Sequence, residues 1–155
     1  ANRKLIFMSN YQIDQIDREI VKLLQRDGKM KIKELAAHLG MTNTPVFDRI
    51  KRLEQEKVIT GYCAQADRMR LGFQLIAFTS ISLDKHKGEL INNFENDVKV
   101  LPEVLECYHI AGMFDYLLKV LVRDMDEYQQ FITKKLAGLQ YIGQVQSSFV
   151  MTEIK

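Results

Sequence analysis

The residues best suited to chemistry in this chain lie between Asn43 and Gln55, where basic and polar side chains recur at helical spacing. At about 100° per residue, Val46, Ile50 and Leu53 share one apolar side of a helix. The opposite side is polar and positively charged, and such a side can bind base edges and phosphates in the DNA major groove. The candidate DNA-contacting residues are Asn43, Thr44, Asp48, Arg49, Lys51, Arg52 and Gln55.

Each of these features also has a plainer interpretation. A polar side on an isolated amphipathic helix is more often a solvated surface than a binding site. Asp48 is suited to accept a hydrogen bond from a cytosine amino group, and it is equally suited to be a surface charge. What favours DNA binding is the segment before the helix, where Gly40, Met41 and Thr42 form the tight turn of a helix-turn-helix.

Two further helices are predicted to hold this helix in place. Asp14 is a plausible N-cap for the first, and Gly40 ends the second. Three short apolar stripes cannot be buried singly, so we predict a tri-helical DNA-binding domain over residues 12–60, after an N-terminal extension over 1–11. Met8 is a candidate native start, which would leave residues 1–7 as an addition. The two stripes consist of Ile16, Ile20, Leu23 and Leu24, then Ile32, Leu35, Ala36 and Leu39.

Charge is distributed unevenly along the chain, although the net charge is only +2. Residues 1–60 contain 12 Lys and Arg against 8 Asp and Glu, whereas residues 61–155 contain 10 against 12. An excess of positive charge in the first part is typical of a domain that binds a polyanion. Many proteins that bind no nucleic acid show a similar difference, so this observation is only supporting.

The second part of the chain has a different pattern. Residues 61–72 are predicted to form a linker strand, and residues 73–155 a second domain with the order βαββαβ, which is ferredoxin-like. Its strands are predicted at 73–83, 104–110, 116–122 and 145–154. A helix at 87–101 ends before Pro102, and another begins after Asp124. The fold class is therefore α+β, and the apolar run at 116–122 is suited to a central strand.

Catalytic, metal and cofactor motifs are missing from the sequence. His38, His86 and His109 are too scattered for a metal site, and no phosphate-binding glycine loop or nucleophile motif occurs. We predict no cofactor and no enzymatic activity. Only two cysteines without metal spacing, and no apolar run long enough for a bilayer, favour a cytoplasmic protein without membrane contact. Met113, Met125 and Met151 are interpreted as packing residues rather than copper ligands.

The chain resembles a known protein family over nearly its whole length. Residues 12–72 resemble the N-terminal half of the Lrp/AsnC (leucine-responsive, or feast/famine) regulators, through the stretches at 16–20, 34–36, 42–54 and 58–62. Residues 112–120, read as GMFDYLLKV, continue the resemblance. It implies a winged helix-turn-helix followed by a βαββαβ effector-binding and oligomerisation domain. It also implies homodimers that assemble to octamers, a pseudo-palindromic operator in double-stranded DNA, and amino-acid effectors bound between dimers.

A candidate effector site begins at Gly112, where the missing side chain lets a ligand carboxylate approach backbone N–H groups. Asp115 offers an anionic partner for an ammonium group. From the residues alone, a plain hairpin turn is the more common explanation. The resemblance favours a ligand site and adds Ser147 or Ser148 from the last strand, while Met113 and Phe114 suggest an apolar amino acid such as leucine or methionine.

Two departures from the family pattern concern stability, and two alternatives concern function. Lys31 replaces a common Ser or Thr cap, and Lys57 occupies a position where Gly commonly ends the helix. One alternative function is a DNA-architectural protein without an effector. The other is an enzyme on the same scaffold, since haem-pathway decarboxylases resemble this family in both domains. The net acidic second domain, with only His86 and His109, argues against that enzyme.

Overall fold

A computed structural model describes residues 11–84, 88–139 and 141–154 of the chain. The chain divides into two compact units between Gln65 and Ala66, inside the segment predicted as a linker. Residues 1–10 of the extension predicted over 1–11, the first residue of the helix predicted at 87–101, and His86 lie outside the described residues.

The first unit contains three helices: α1 (Gln15–Arg26), α2 (Ile32–Leu39) and α3 (Asn43–Gln55). Asp14 caps α1 as predicted, because its carboxylate accepts a hydrogen bond from the Asp17 N–H at 2.8 Å. Gly40 ends α2 in the left-handed conformation that glycine adopts without strain, with φ 63°. The fully buried centre of the unit comprises Ile20, Leu35, Ala36, Val46 and Leu53.

The end of α3 is strained at Lys57, as the sequence suggests. Lys57 has φ 58°, and it is the one non-glycine residue with positive φ in the described part of the chain. The Lys57 N–H donates to the Glu54 carbonyl at 3.1 Å, and the Val58 N–H donates to the Leu53 carbonyl at 2.9 Å. These two bonds form a Schellman motif, whose left-handed position normally holds glycine.

Replacing Lys57 with glycine is expected to stabilise the first unit by about 1 kcal/mol, because the Cβ of an L residue opposes this conformation. Urea unfolding of wild type and variant measures the difference. Glu56→Gly is the matched control, since Glu56 has φ −77° and gains nothing from glycine. Equal midpoints for Lys57→Gly and wild type would contradict the prediction.

The predicted linker strand at 61–72 is wrong for the single chain. Residues 61–66 have no regular structure, and turns occupy residues 68–72. A strand requires a hydrogen-bonded neighbour, and no ladder partner for this segment lies among the described residues. A sequence pattern typical of an extended segment does not indicate whether a neighbouring strand is present to pair with it.

The second unit is the predicted ferredoxin-like βαββαβ arrangement. Its four-stranded sheet has the order β2-β3-β1-β4, with every neighbouring pair antiparallel. The strand β3 is therefore central, as predicted. The elements are β1 (Leu75–Leu83), α4 (Gly88–Lys99), β2 (Val104–His109), β3 (Tyr116–Val122), α5 (Met125–Gln130) with a π-helical continuation (Phe131–Leu136), and β4 (Ile142–Phe149).

The two sides of this sheet differ. Side chains alternate along a strand, so one side of β1 and β3 is buried beneath α4, α5 and the π-helical turn. On the other side no helix of this unit packs among the described residues, and this side bears Phe78, Leu117 and Tyr108, around a Lys119–Glu106 ion pair of 3.1 Å. We call this second side the open face. Within the described residues, no helix is both long and apolar enough to cross a membrane.

Candidate functional site

The orientation of α3 is fixed by its buried side. Val46 and Leu53 are completely buried and pack against Ile20 of α1 and Leu35 of α2, with Ile50 partly buried beside them. Because these contacts involve both other helices, α3 cannot rotate about its axis without opening the core. The sequence prediction of the inner side of α3 is therefore confirmed.

The outer side of α3 is polar and exposed. Thr44, Asp48, Lys51 and Gln55 follow one another at intervals of three or four residues, so they form one stripe along the helix. Asn43 and Arg52 flank the stripe and are also exposed. The stripe begins in the first turn of the helix that follows the tight turn, where a recognition helix meets base edges.

Arg49 belongs elsewhere, and the prediction that it faces DNA needs correction. Its guanidinium donates to Asp17 at 2.7 Å and to Asp14 at 2.6 Å, so it joins α3 to the start of α1. The Asp17 side chain is only 1% exposed and that of Arg49 is 20% exposed. This guanidinium therefore pairs with two carboxylates of its own unit, and it is less exposed than the side chains of the polar stripe.

Tyr11 extends this ionic contact. The Tyr11 hydroxyl donates to Asp17 at 2.5 Å, and the Arg52 guanidinium lies 4.9 Å from the centre of the Tyr11 ring. The hydrogen bond from the Asp17 N–H, together with Arg49, holds the pKa of Asp14 below its usual value. Hydrogen bonds to Asp17 and Asp14 raise the pKa of Arg49 above its usual value. The Asp14 and Asp17 carboxylates, which would repel each other, are thus both paired with the Arg49 guanidinium.

The candidate effector loop connects β2 to β3 and is tied to β1. The Ile110 N–H donates to the Asp115 carbonyl at 2.8 Å, which closes the loop. One carboxylate oxygen of Asp115 accepts the Leu83 N–H at 2.8 Å, and the Asp115 N–H donates to the Ile81 carbonyl. Asp115 therefore fixes the loop at the end of β1. Met113 extends outward and is 85% exposed, whereas Phe114 is half-buried.

Gly112 is not required by the fold of a single chain. Its φ lies outside the left-handed region, and a Cβ added to it would have no heavy atom within 4 Å. Gly143 differs, because a Cβ there would lie 2.5 Å from the Asp84 carboxylate. A methyl group at position 112 would therefore contact none of the described residues beyond its chain neighbours.

The two serines of β4 face opposite sides of the sheet. Ser147 pairs with Thr79 on the helix-covered side, and its hydroxyl accepts from the Tyr128 hydroxyl at 2.5 Å. Ser148 pairs with Phe78 and faces the open side, because adjacent residues of a strand point in opposite directions. At most one of them can therefore line a ligand site on a given side of the sheet, and the participation of Ser147 or Ser148 in a site between dimers stays a prediction.

Comparison with known proteins assigns both units. Residues 13–60 match the winged helix-turn-helix DNA-binding model, and residues 76–155 match the Lrp/AsnC ligand binding domain. The chain belongs to the Lrp/AsnC family.

Individual Lrp/AsnC proteins match along almost their full length. The Bkd operon transcriptional regulator of Pseudomonas aeruginosa is 34% identical over 92% of this chain and 94% of the relative. The leucine-responsive regulatory protein of Escherichia coli is 35% identical over 92% of this chain and 87% of the relative. A crystal structure of a Neisseria meningitidis transcriptional regulator in complex with L-methionine has a TM-score of 0.88 and 30% identity, covering 93% of each chain. This Lrp/AsnC chain is therefore a DNA-binding transcriptional regulator with a ligand-binding domain.

Sequence reasoning missed three residues of the DNA-binding unit of this Lrp/AsnC regulator. Asp17 and Tyr11 lie 32 and 38 positions before Arg49 along the chain, and no local pattern connects them to it. Phe47 is apolar, so its residue type does not indicate a DNA contact. It nevertheless lies about 100° from Val46 around the helix, and this angle is a signal that it is exposed.

Proposed function

We propose that this regulator reads operator DNA with the outer side of α3. The residues assigned to the contact are Asn43, Thr44, Asp48, Lys51, Arg52 and Gln55, and Arg49 is excluded. The observation that carries the proposal is the exposed polar stripe on a helix whose inner side is locked into the core. We further infer a cytoplasmic location, where chromosomal DNA lies, and no catalytic role.

Lys51→Ala and Arg52→Ala are each expected to weaken operator binding several-fold. A lost phosphate contact also reduces the slope of log K against log salt concentration by about 0.9. Titrations by gel shift or fluorescence anisotropy at several salt concentrations measure both quantities. Lys134→Ala, an exposed lysine of the second unit, is the control and should leave both unchanged. Unchanged affinity in the Lys51→Ala, Arg52→Ala double variant would show that the assigned side of α3 is not the DNA contact.

We propose that two subunits pair through their open faces and that the dimers assemble to octamers. A sheet side that exposes aromatic and aliphatic side chains is typical of an interface between subunits. Phe78 is 37% exposed and Tyr108 is 50% exposed in the single chain, beside the half-buried Leu117. A symmetric dimer presents two copies of α3, which suits a pseudo-palindromic operator.

We propose that the effector is an apolar or sulfur-containing amino acid, such as leucine or methionine, bound at the loop 112–115 between dimers. Gly112 supports this, because the space beyond its Cα is open, and a missing side chain lets a carboxylate approach the backbone. Met113 supplies an exposed apolar side chain in the same loop. The L-methionine bound to the Neisseria relative belongs to the same chemical class.

Gly112→Ala tests the effector site without disturbing the fold. We expect the variant to unfold at the same temperature as wild type and to bind methionine or leucine at least about tenfold more weakly, because a methyl group occupies the approach to the loop. Isothermal calorimetry against the twenty amino acids measures binding. Gly61→Ala is the matched control, since a Cβ there also meets no atom within 4 Å.

Asp115→Ala is expected to abolish amino-acid binding, because it removes the proposed anionic partner of the ligand's ammonium group. Some stability should also be lost, because Asp115 no longer accepts the hydrogen bond from the Leu83 N–H. No heat from any amino acid with the wild-type protein would end the assignment and favour a DNA-architectural protein. Wild-type affinity in Gly112→Ala would place the ligand elsewhere.

A further inference from the structure

One aromatic side chain on α3 has no role in the core of the first unit. Phe47 is 39% exposed, although its neighbours Val46 and Leu53 are completely buried. At about 100° per residue, Phe47 lies between the buried side of α3 and the polar stripe. It occupies the first half of the helix, one turn after Thr44 and one turn before Lys51.

The surroundings of Phe47 are suited to DNA rather than to an apolar protein partner. The Lys51 ammonium lies 4.8 Å from the centre of the Phe47 ring, so the ring carries a cation on its surface. The exposed residues of α3 within about 60° of Phe47 around the helix axis are Asn43, Thr44 and Lys51, all polar or charged, and the exposed Pro45 lies on the opposite side. A single aromatic ring among polar and cationic groups is not an extended apolar patch of the size that protein interfaces require.

Only one group on the floor of the major groove is apolar. Adenine, guanine and cytosine present hydrogen-bond donors and acceptors there, whereas thymine also presents its 5-methyl group. We propose that Phe47 is a specificity-determining residue that selects thymine by packing on this methyl group, while Lys51 contacts a nearby phosphate or guanine. The proposal rests on the DNA contact of α3 proposed above and adds a base identity to it.

Replacement of thymine by deoxyuridine tests this contact, because it removes the methyl group and leaves the base pair unchanged. The operator half-site is first defined by selection from random DNA with the wild-type protein. Each thymine of the selected half-site is then replaced in turn. We expect one position at which wild type loses about fourfold in affinity per half-site, the value for one buried methyl group.

Phe47→Ala is expected to bind the thymine operator more weakly and to show no further loss with deoxyuridine at that position. Lys51→Ala is the matched control. It should keep the full deoxyuridine penalty while its salt dependence decreases. Phe47→Leu keeps an apolar contact and should keep part of the penalty. Thermal unfolding confirms that the variants fold, which is expected because Phe47 is not one of the buried residues of the core.

Three results would overturn the proposal. These are a selected half-site without thymine, a wild-type affinity that no deoxyuridine replacement changes, and a penalty that persists in Phe47→Ala. If Lys51→Ala weakens binding to the selected operator but one of these results appears, the DNA contact of α3 stands and only the thymine assignment fails. If wild type selects no operator at all, both proposals fail. If Phe47→Ala no longer self-associates but still loses affinity with deoxyuridine as wild type does, the Phe47 ring contacts another protein subunit instead.

Discussion

Replacing Arg49 with alanine is expected to lower the free energy of unfolding of the DNA-binding unit by roughly 3–5 kcal/mol. The variant leaves Asp17, whose side chain is 1% exposed, as a buried carboxylate without its guanidinium partner. The cost of such a charge exceeds that of an exposed ion pair, which contributes only about 0–1 kcal/mol. Urea unfolding followed by circular dichroism measures the loss. Lys22→Ala, which removes an exposed pair with Glu19, is the control.

The same variant should bind DNA more weakly without a change in salt dependence. The pair joins the start of α1 to α3, so its loss lets α3 shift relative to the other helices. We expect about a tenfold loss in affinity, equivalent to one base contact. Because no phosphate contact is removed, the slope of log K against log salt should equal that of wild type. Measurements at low temperature keep the weakened unit folded.

Asp17→Asn makes this expectation sharper, because electrostatics alone predicts the opposite sign. Removing a negative charge from a DNA-binding unit should strengthen attraction to phosphate. We instead expect weaker binding. The Asp17 carboxylate pairs with Arg49 and also accepts hydrogen bonds from the Tyr11 hydroxyl and the Asp14 N–H, and an amide cannot do all three. Tighter binding by Asp17→Asn, or a reduced salt slope in Arg49→Ala at wild-type stability, would return Arg49 to the DNA surface.

Arg49 illustrates which part of the site the sequence can predict. The helix period separates an inner from an outer side, and for Val46, Leu53, Thr44 and Lys51 that separation is correct. Arg49 lies at the boundary of the two sides, about 60° from Val46. Its partner is decided by carboxylates that come close only in the folded unit, and charge composition does not reveal them.

The strands show a similar limit. The prediction for β3 matches the observed Tyr116–Val122, because a central strand of seven residues is marked by its own continuous apolar run. The last strand was predicted at 145–154, whereas β4 spans Ile142–Phe149. The partner decides this difference. The Val150 N–H still bonds to the Ile76 carbonyl, but β1 begins at Leu75, so a longer β4 would have nothing to pair with.

The helix after Asp124 was predicted correctly in position but not in form. Its second half, Phe131–Leu136, is π-helical, with the Ala137 N–H bonded to the Ile132 carbonyl at 2.9 Å. The wider turn lets Phe131 and Leu136, five residues apart, both reach the core. The α-helical period of 3.6 residues does not predict a pair of core residues with this spacing.

A double substitution on the open face, Phe78→Asp with Leu117→Asp, is expected to convert the regulator to monomers and to reduce operator affinity by about 10²–10⁴-fold. Each substitution introduces a carboxylate into an apolar contact, where it would be buried without a partner. The core of the unit should persist, because Phe78 and Leu117 point away from the buried side of the sheet. The affinity decreases because two linked copies of α3 bind far more tightly than one.

Light scattering at micromolar concentration measures the assembly directly. The variant should have the mass of one chain, 18.1 kDa, while wild type should have a multiple of it. Val100→Asp is the control, since Val100 is 77% exposed but follows α4 rather than lying on the open face. A monomeric wild type would contradict the proposed pairing outright. If the double variant keeps the wild-type mass, the subunits pair through another surface. Any weaker operator binding by that variant would then have a cause other than lost avidity.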